Sequence, residues 1–175
     1  MTESEGVDRE EGLDFLFEIV SIFLLVGFAF FLIEGSLVLG MRNNTPVTVV
    51  SSGSMDTNHD WWVEYEQMGY DSENFPFKEG FSVGDLVFVQ GVTSVEDFEV
   101  GDVVIFWAEE GGQRIRVIHR VYDTFHDEGF IRAKGDDNPG PRPYEERITE
   151  EDIIGKAAGS IPYIGYPAYW LRIGL

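Results

Sequence analysis

Gly-Asp-Leu-Val-Phe-Val at residues 84–89 and its near copy Gly-Asp-Val-Val-Ile-Phe at residues 101–106 indicate the fold of this chain. Each stretch opens on a glycine and an aspartate, which favour a turn, and continues as an apolar, β-branched run, which favours a strand. The runs predicted to be strands are residues 47–50, 86–90, 103–107, 115–122, 130–134 and 153–157. Since the chain has no glycine-rich phosphate loop and no alternation of long helices with strands, we predict a small, mainly β domain.

One apolar segment precedes these strands. Residues 19–33 contain no charge and no proline and are apolar on every side of a helix, as in a membrane span. They would cover about 22 Å of a hydrocarbon core of about 30 Å, so a spanning helix must also use neighbouring residues. A buried core helix is the alternative, and the acidic start of the chain argues against a cleavable signal peptide. We expect an acidic tail over residues 1–12, a transmembrane anchor over 13–40 and a β-rich domain over 41–175.

Two segments depart from the strand pattern. Residues 57–80 form an insertion, in which residues 60–68 are predicted to be a short helix that is capped by Asp60 and ended by Gly69. We expect a flap packed on the β domain, with contact to membrane or substrate as the alternative. Residues 161–175 contain two prolines and three tyrosines, which favour a segment at the membrane interface over a second span.

Composition excludes several classes of protein. The 12 Lys and Arg residues against 32 Asp and Glu residues give a net charge of −20, which repels phosphate backbones and makes a nucleic-acid binder unexpected. The chain has no cysteine, so disulfides, thiolate chemistry and cysteine-ligated metals are absent. No cofactor and no metal site are predicted. An acidic chain with few lysines is typical of a protein that works in molar salt, so a halophilic source is expected.

Three groups of residues could together carry acyl-transfer chemistry. The first is Ser-Ser-Gly-Ser-Met at residues 51–55, where a turn after a strand could present a hydroxyl group. The second is His119, which strand alternation places on an apolar face, where a neutral ring could accept a proton. The third is the loop Lys-Gly-Asp-Asp-Asn-Pro-Gly-Pro at residues 134–141. An ordinary turn, a core histidine and a tight loop are the structural alternatives, but a serine, a histidine and an aspartate after separate strands are the parts of a catalytic triad.

These segments resemble, in order, those of type I signal peptidases, and within them the archaeal and endoplasmic-reticulum branch that uses histidine in place of lysine. The segments that carry the resemblance are the apolar N-terminal segment, Ser-Gly-Ser-Met at residues 52–55, the two stretches at 84–89 and 101–106, Ile-His-Arg-Val at 118–121, Lys-Gly-Asp-Asp-Asn at 134–138, and Ile-Ile-Gly-Lys with Ile-Pro-Tyr-Ile-Gly over 153–165. The resemblance implies a signal-peptidase-like coiled β-sheet ectodomain.

The resemblance also implies a function. It is that of a membrane-bound serine endopeptidase that removes N-terminal signal peptides from secreted preproteins, with its catalytic domain on the extracytoplasmic face of the cell membrane. Expected partners are signal-peptide-bearing preproteins, the lipid bilayer and the protein-export translocon. Two alternatives are a catalytically impaired accessory protein on the same scaffold and a peptidase dedicated to a subset of envelope precursors.

Roles are carried over by position. Ser54 matches the nucleophile, His119 the general base, and Ser52 a contributor to the oxyanion hole, while Met55 is expected to contact substrate. Asp136 matches the first aspartate of the family's loop, and either it or Asp137 would orient His119.

Two features of this chain depart from the family pattern. The branch usually carries a second aspartate six residues beyond the first, and here that position is Arg142. The third member is therefore Asp136, Asp137 or a later acid such as Asp152, or the enzyme is impaired. The insertion at residues 57–80 is the second departure, and we expect it to shape substrate access.

Overall fold

The computed structural model describes residues 3–57, 60–92, 94–167 and 170, with side chains from residue 15 onward. The chain divides into two units, residues 1–40 and residues 41–175. The described residues of the first unit form a single helix, and those of the second unit contain all the strands that the structure describes.

Helix α1 spans Glu3–Met41. Its part Phe15–Met41 is long and apolar enough to cross a membrane, and none of it is buried. The 27 residues of this part would reach about 40 Å as a helix, so the neighbouring residues supply the length that residues 19–33 lack. The helix already begins at Glu3, within the residues predicted to form the acidic tail. Acidic residues in a first turn favour such a start because they complement the helix dipole.

The second unit is built on a six-stranded antiparallel sheet, which confirms the predicted mainly β fold. The strands are β1 (Val47–Val49), β2 (Leu86–Gln90), β3 (Val103–Glu110), β4 (Gln113–Phe125), β5 (Phe130–Lys134) and β6 (Ile153–Ile161). Their order across the sheet is β1-β2-β6-β3-β4-β5, so β1 and β5 form the two edges. The strands β2 and β5 have the predicted bounds, whereas β3, β4 and β6 are longer than predicted. Strands β3 and β4 form a hairpin through Gly111 and Gly112, which both have positive φ.

Three aspartates make the same turn before three of the strands. The carboxylates of Asp85, Asp102 and Asp152 each accept a hydrogen bond from the main-chain N–H three residues earlier, at 2.9, 2.8 and 3.0 Å. The N–H of each aspartate donates back to the carbonyl of that same residue. These turns precede β2, β3 and β6, and two of them are the glycine-aspartate openings that the sequence shows.

Two apolar clusters cover the two faces of the sheet. The first contains Val95, Phe98, Val104, Phe106, Ala108, Val117, Val121, Ile131, Ala133 and Ile148. The second contains Val50, Met55, Phe81, Val87, Val89, Val103, Ile105 and Ala157. Strand β3 supplies alternate residues to both clusters, because successive side chains of a strand point to opposite faces. Register shifts in the pairs β2–β6, β3–β6 and β4–β5 are of the kind that increases the twist of a sheet.

The insertion packs on the β domain, but its helix is shorter than predicted. Helix α2 spans Val63–Gln67, and Asp60 does not cap it, since the residue at its N-terminal boundary is Trp62. Asp60 instead accepts the N–H of Val63 with its main-chain carbonyl at 3.2 Å. Gly69 does follow the end of the helix, with a φ of +92°. The side chains of Trp61 and Tyr65 are buried.

The C-terminal segment is described in part. Strand β6 continues to Ile161, beyond its predicted end, and residues 168, 169 and 171–175 lie outside the described residues. Ile161, Tyr163, Ile164 and Trp170 are exposed apolar side chains. The expectation that residues 161–175 meet the membrane interface stays a prediction.

Candidate active site

Ser54 lies on a 3-10 turn, Gly53–Met55, that follows edge strand β1. The turn is fixed on both sides, because the N–H of Asp56 donates to the carbonyl of Gly53 at 3.0 Å and the N–H of Phe81 donates to the carbonyl of Met55 at 2.9 Å. Gly80 makes this last contact possible, since its φ is +68° and a Cβ there would lie 2.2 Å from the oxygen of Met55. The serine hydroxyl is thus presented by a backbone that the core holds in place.

His119 lies next to Ser54, as the sequence predicts. Its Nε2 is 2.8 Å from Ser54 Oγ, across 65 residues of sequence. The ring is 3% exposed and extends from the middle of β4, where His119 pairs with Val104 of β3. Cross-strand partners share a face, so His119 lies on the side of the sheet that carries the first apolar cluster.

Glu145 contacts the other ring nitrogen of His119. Its Oε1 is hydrogen-bonded to His119 Nδ1, and its Oε2 accepts the main-chain N–H of Arg142. The side chain is fully buried and lies on a 3-10 turn, Pro143–Glu145. Ser54, His119 and Glu145 therefore form a continuous hydrogen-bonded chain from a hydroxyl group to a buried carboxylate, the arrangement that activates a serine nucleophile.

Asp136 has a different partner. Its two carboxylate oxygens accept hydrogen bonds from Nε and Nη2 of Arg120, at 2.9 and 2.8 Å, and both side chains are buried. Arg120 follows His119 in β4, so it points to the opposite face of the sheet. Burial raises the pKa of Asp136, against the hydrogen bonds and charge of Arg120. In the structure, Asp136 therefore binds Arg120, and Glu145, three residues beyond Arg142, is the carboxylate that binds His119.

The structure also shows where Asp137 and Asp152 lie, the other two candidates for the third member of the triad. Asp137 is exposed, and its main-chain N–H donates to the carbonyl of Ser54 at 3.0 Å. The carboxylate of Asp152 is used in the turn that precedes β6, where it accepts from both the N–H and the hydroxyl of Thr149.

Gly135 allows the loop to approach the other two elements of the site. A Cβ at this position would lie 2.6 Å from the oxygen of Ser54 and 2.9 Å from His119 Nε2. Both distances are shorter than side-chain contacts permit. The loop of residues 135–138, the turn Gly53–Met55 (the serine turn) and strand β4 therefore meet at Gly135.

Ser52 and Met55 lie on either side of Ser54. The hydroxyl of Ser52 is exposed and 3.2 Å from Ser54 Oγ, so it borders the position of a reacting carbonyl group. Met55 is 1% exposed and belongs to the second apolar cluster, so its side chain borders the groove from within the core.

A groove with a volume of about 570 Å³ opens beside Ser54. It is lined by residues 48–56 of β1 and the serine turn, by residues 115–119 of β4, and by Glu110, Asp137, Asn138, Arg142 and Tyr144. Thr48 and Arg116 meet across it, with Arg116 Nη1 3.2 Å from Thr48 Oγ1. None of the described residues of the insertion, 57 and 60–80, lines this groove.

Sequence reasoning missed Glu145. The family pattern directs attention to Arg142, and the main chain of Arg142 does take part, as a donor to Glu145 Oε2. The only signal in the sequence is an acid three residues farther on, after Pro143. Its neighbour Glu146 has the same chemistry but forms an exposed ion pair with Arg132.

No family model matches the chain. The chain is, however, similar to curated proteins named signal peptidase complex catalytic subunit SEC11. The one from Colletotrichum graminicola is 27% identical over 156 residues, which cover 85% of this chain and 76% of the relative. The one from Lachancea thermotolerans is 28% identical over 151 residues, or 81% and 74% of the two chains. SEC11C of Canis lupus familiaris is 26% identical over 157 residues, or 85% and 68%. The chain is thus similar over most of its length to catalytic subunits of signal peptidase complexes.

Proposed function

We propose that this protein is a membrane-anchored serine endopeptidase that cleaves signal peptides from secreted preproteins. The observation that carries the proposal is the hydrogen-bonded chain from Ser54 Oγ through His119 to the buried Glu145. The similarity to signal peptidase catalytic subunits supports the reaction class, and the apolar span of α1 supports a membrane location.

The chemistry follows from this geometry. Ser54 Oγ attacks the scissile carbonyl carbon while His119 Nε2 takes the hydroxyl proton. His119 then returns the proton to the leaving nitrogen of the mature chain, and the signal peptide remains as an ester on Ser54. Water, deprotonated by His119, hydrolyses the ester and releases the new carboxyl terminus.

Glu145 and Ser52 have supporting roles in these steps. Glu145 holds His119 in the tautomer that has Nε2 free to accept a proton, and it stabilises the imidazolium that forms. The hydroxyl of Ser52 and the main-chain N–H of Ser54 stabilise the oxyanion, where one such donor contributes about 3–4 kcal/mol.

The groove suits an extended peptide. Strand β1 is an edge of the sheet, so a substrate can add to its free side with main-chain hydrogen bonds and reach Ser54 at its end. We expect small side chains just before the cut, as in the resembled family, and an active site on the extracytoplasmic face of the membrane. An association with the export translocon belongs to the same proposal.

The presence of Arg142 at this position does not mean that the enzyme is impaired. It occupies the position of the family's second aspartate, but Glu145 supplies a buried carboxylate to His119. The side chain of Arg142 pairs with Glu110 at 2.9 Å on the surface. A peptidase for a subset of precursors would use the same site, and it differs from a general one only in which preproteins are cleaved.

The test is cleavage of a signal-peptide fusion by the full chain in membranes at molar salt. We expect cleavage by wild type and by Ser160→Ala, a control at an exposed serine, and loss of cleavage in Ser54→Ala and His119→Ala. Equal cleavage by Ser54→Ala and wild type would contradict the proposal.

A further inference from the structure

The insertion contacts the site from the side of β4 that lies opposite His119. Arg120 uses all five of its N–H groups: two bind Asp136, one binds the carbonyl of Gly101, and two bind the insertion carbonyls of Pro76 and Phe77, at 2.7 and 3.0 Å. The ring of Trp61 stacks on the guanidinium with 4.1 Å between its centroid and Cζ. The insertion thus covers the cation next to the catalytic histidine.

A second buried cation lies directly opposite Arg120. Lys134, the last residue of β5, is the cross-strand partner of Arg120 and is 3% exposed. Like charges at directly opposite positions of a sheet repel each other, so each needs its own counter-ion. Asp136 neutralises Arg120, and Glu64 of helix α2 neutralises Lys134. Glu64 is fixed in turn by the hydroxyl of Tyr122, which donates to its Oε1 at 2.8 Å.

Lys134 directly precedes the loop of residues 135–138. The next residue is Gly135, which touches the Ser54 carbonyl and His119 Nε2 with no space for a Cβ. Two residues farther on, the N–H of Asp137 donates to the carbonyl of Ser54 at 3.0 Å. A shift of Lys134 would therefore reach the nucleophile within three residues.

We propose that Glu64 of the insertion is a positioning residue, which pairs with Lys134 to hold residues 135–138 against Ser54 without touching the substrate. The inference rests on the proposed function. It gives the insertion a role in the rate of the chemical step, whereas the sequence leads us to expect a role in substrate access. Without Glu64, Lys134 would be a buried cation that has lost its ion pair and lies directly opposite Arg120. Both cations would then be attracted to the carboxylate of Asp136, on which the charges of both already act.

The first experiment separates kcat from KM for a signal-peptide substrate, using the full chain in detergent or vesicles. We expect Glu64→Gln to lower kcat by about tenfold or more with KM unchanged, because small displacements of a catalytic group are costly. Glu64→Asp should recover part of the rate. Glu73→Gln removes the same charge from an exposed position of the insertion, and we expect it to leave both constants unchanged.

A double variant tests the physical cause. Glu64→Gln with Lys134→Met removes both charges and keeps the volume of the side chains, a replacement that buried ion pairs often tolerate. We expect its kcat to exceed that of Glu64→Gln alone. A kcat as low as that of the single variant would overturn the inference that the unpaired cation displaces the loop.

Amide hydrogen exchange gives a readout that does not depend on turnover. In Glu64→Gln the Asp137 N–H should exchange faster than in wild type and in Glu73→Gln, while the amides of β2 and β6 are unchanged. If Glu64→Gln does not fold, Glu64→Asp and the double variant carry the comparison. A raised KM with normal kcat, or Asp137 exchange equal to that of Glu73→Gln, would overturn the inference. Absence of wild-type cleavage would contradict the proposed function alone, since the exchange comparison still decides the role of Glu64.

Discussion

At the scale of single residues, the site depends on one glycine as much as on its polar groups. Gly135 lies where the serine turn, β4 and the loop meet, and it is close to both the Ser54 carbonyl and His119 Nε2. Its φ is not positive, so the need for glycine is one of space and not of backbone conformation. The hydrogen bond between Ser54 and His119 therefore depends on a missing side chain.

Gly135→Ala should reduce cleavage strongly, by about a hundredfold, because its methyl group would displace the serine turn or the histidine. Gly140→Ala is the matched control in the same loop, since a Cβ at Gly140 has no atom within 4 Å. Initial rates of cleavage of a signal-peptide fusion, with circular dichroism to show folding, check the prediction. Equal rates for the two variants would show that the approach at Gly135 is not needed for turnover.

The predictability of the site differs from residue to residue. Ser54 and His119 could be predicted because a turn after a strand and an imidazole on an apolar strand face occur in segments that resemble, in order, those of a known family. Glu145 has no such signature, since its role depends on the reach of a turn that begins 24 residues after His119. Asp136 lies in the expected loop, but its carboxylate binds Arg120, which strand alternation places on the face opposite His119. Only the three-dimensional structure shows that pairing.

At the scale of elements, local patterns predicted the strand centres better than their ends or the insertion. Turn and β-branched signals located all six strands. Strand β3 continues to Glu110 and β4 begins at Gln113, because the Gly111-Gly112 turn lets them pair up to the turn. The other end of β4 extends to Phe125 by pairing with β5. The predicted helix over residues 60–68 shortens to Val63–Gln67, because burial of Trp61 and Tyr65 sets the course of the chain there. These are tertiary effects that no short window of sequence contains.

The ion pair between the insertion and β5 should make stability depend on pH in the acid range. The pKa of Glu64 is lowered in the folded protein. Burial raises this pKa, but the hydrogen bonds from Lys134 and Tyr122 and the charge of Lys134 together lower it. A lowered folded-state pKa means that the pair stabilises the fold above the ordinary carboxyl pKa of about 4 and stops doing so as pH falls through the lower folded value.

We therefore expect Glu64→Gln to have a lower Tm than wild type at pH 7, and the difference to shrink as pH falls below about 4. Thermal unfolding of both proteins across this range, with Glu73→Gln as a control for charge, measures the effect. A difference in Tm that is equally large at pH 7 and at pH 3 would exclude the pair as its source.

At the scale of the whole molecule, net charge is the dominant feature. The −20 charge is spread over a chain of 175 residues with only three lysines, and two of these are paired: Lys134 with Glu64 of the insertion and Lys156 with Asp102 of the β domain. At about 1 M salt the Debye length falls to about 3 Å, so repulsion between surface carboxylates is largely screened. The compact state should then be favoured, since unfolding relieves this repulsion at low salt.

We expect the Tm of the full chain to rise when NaCl is increased from about 0.1 M to about 2 M. Thermal unfolding followed by circular dichroism checks this, with a neutral osmolyte at matched osmotic pressure as the control for non-ionic effects. An unchanged or lower Tm at high salt would contradict the expectation that this protein works in molar salt.

The most direct test of the catalytic assignment is the kcat of Glu145→Gln for a signal-peptide substrate. We expect a loss on the order of 10⁴-fold, because a neutral amide cannot hold His119 in the reactive tautomer or stabilise its charged form. Glu146→Gln, at the adjacent exposed acid, should retain wild-type kcat. A Glu145→Gln rate equal to that of Glu146→Gln, together with a large loss in Asp136→Asn, would contradict the assignment and return the third position to Asp136.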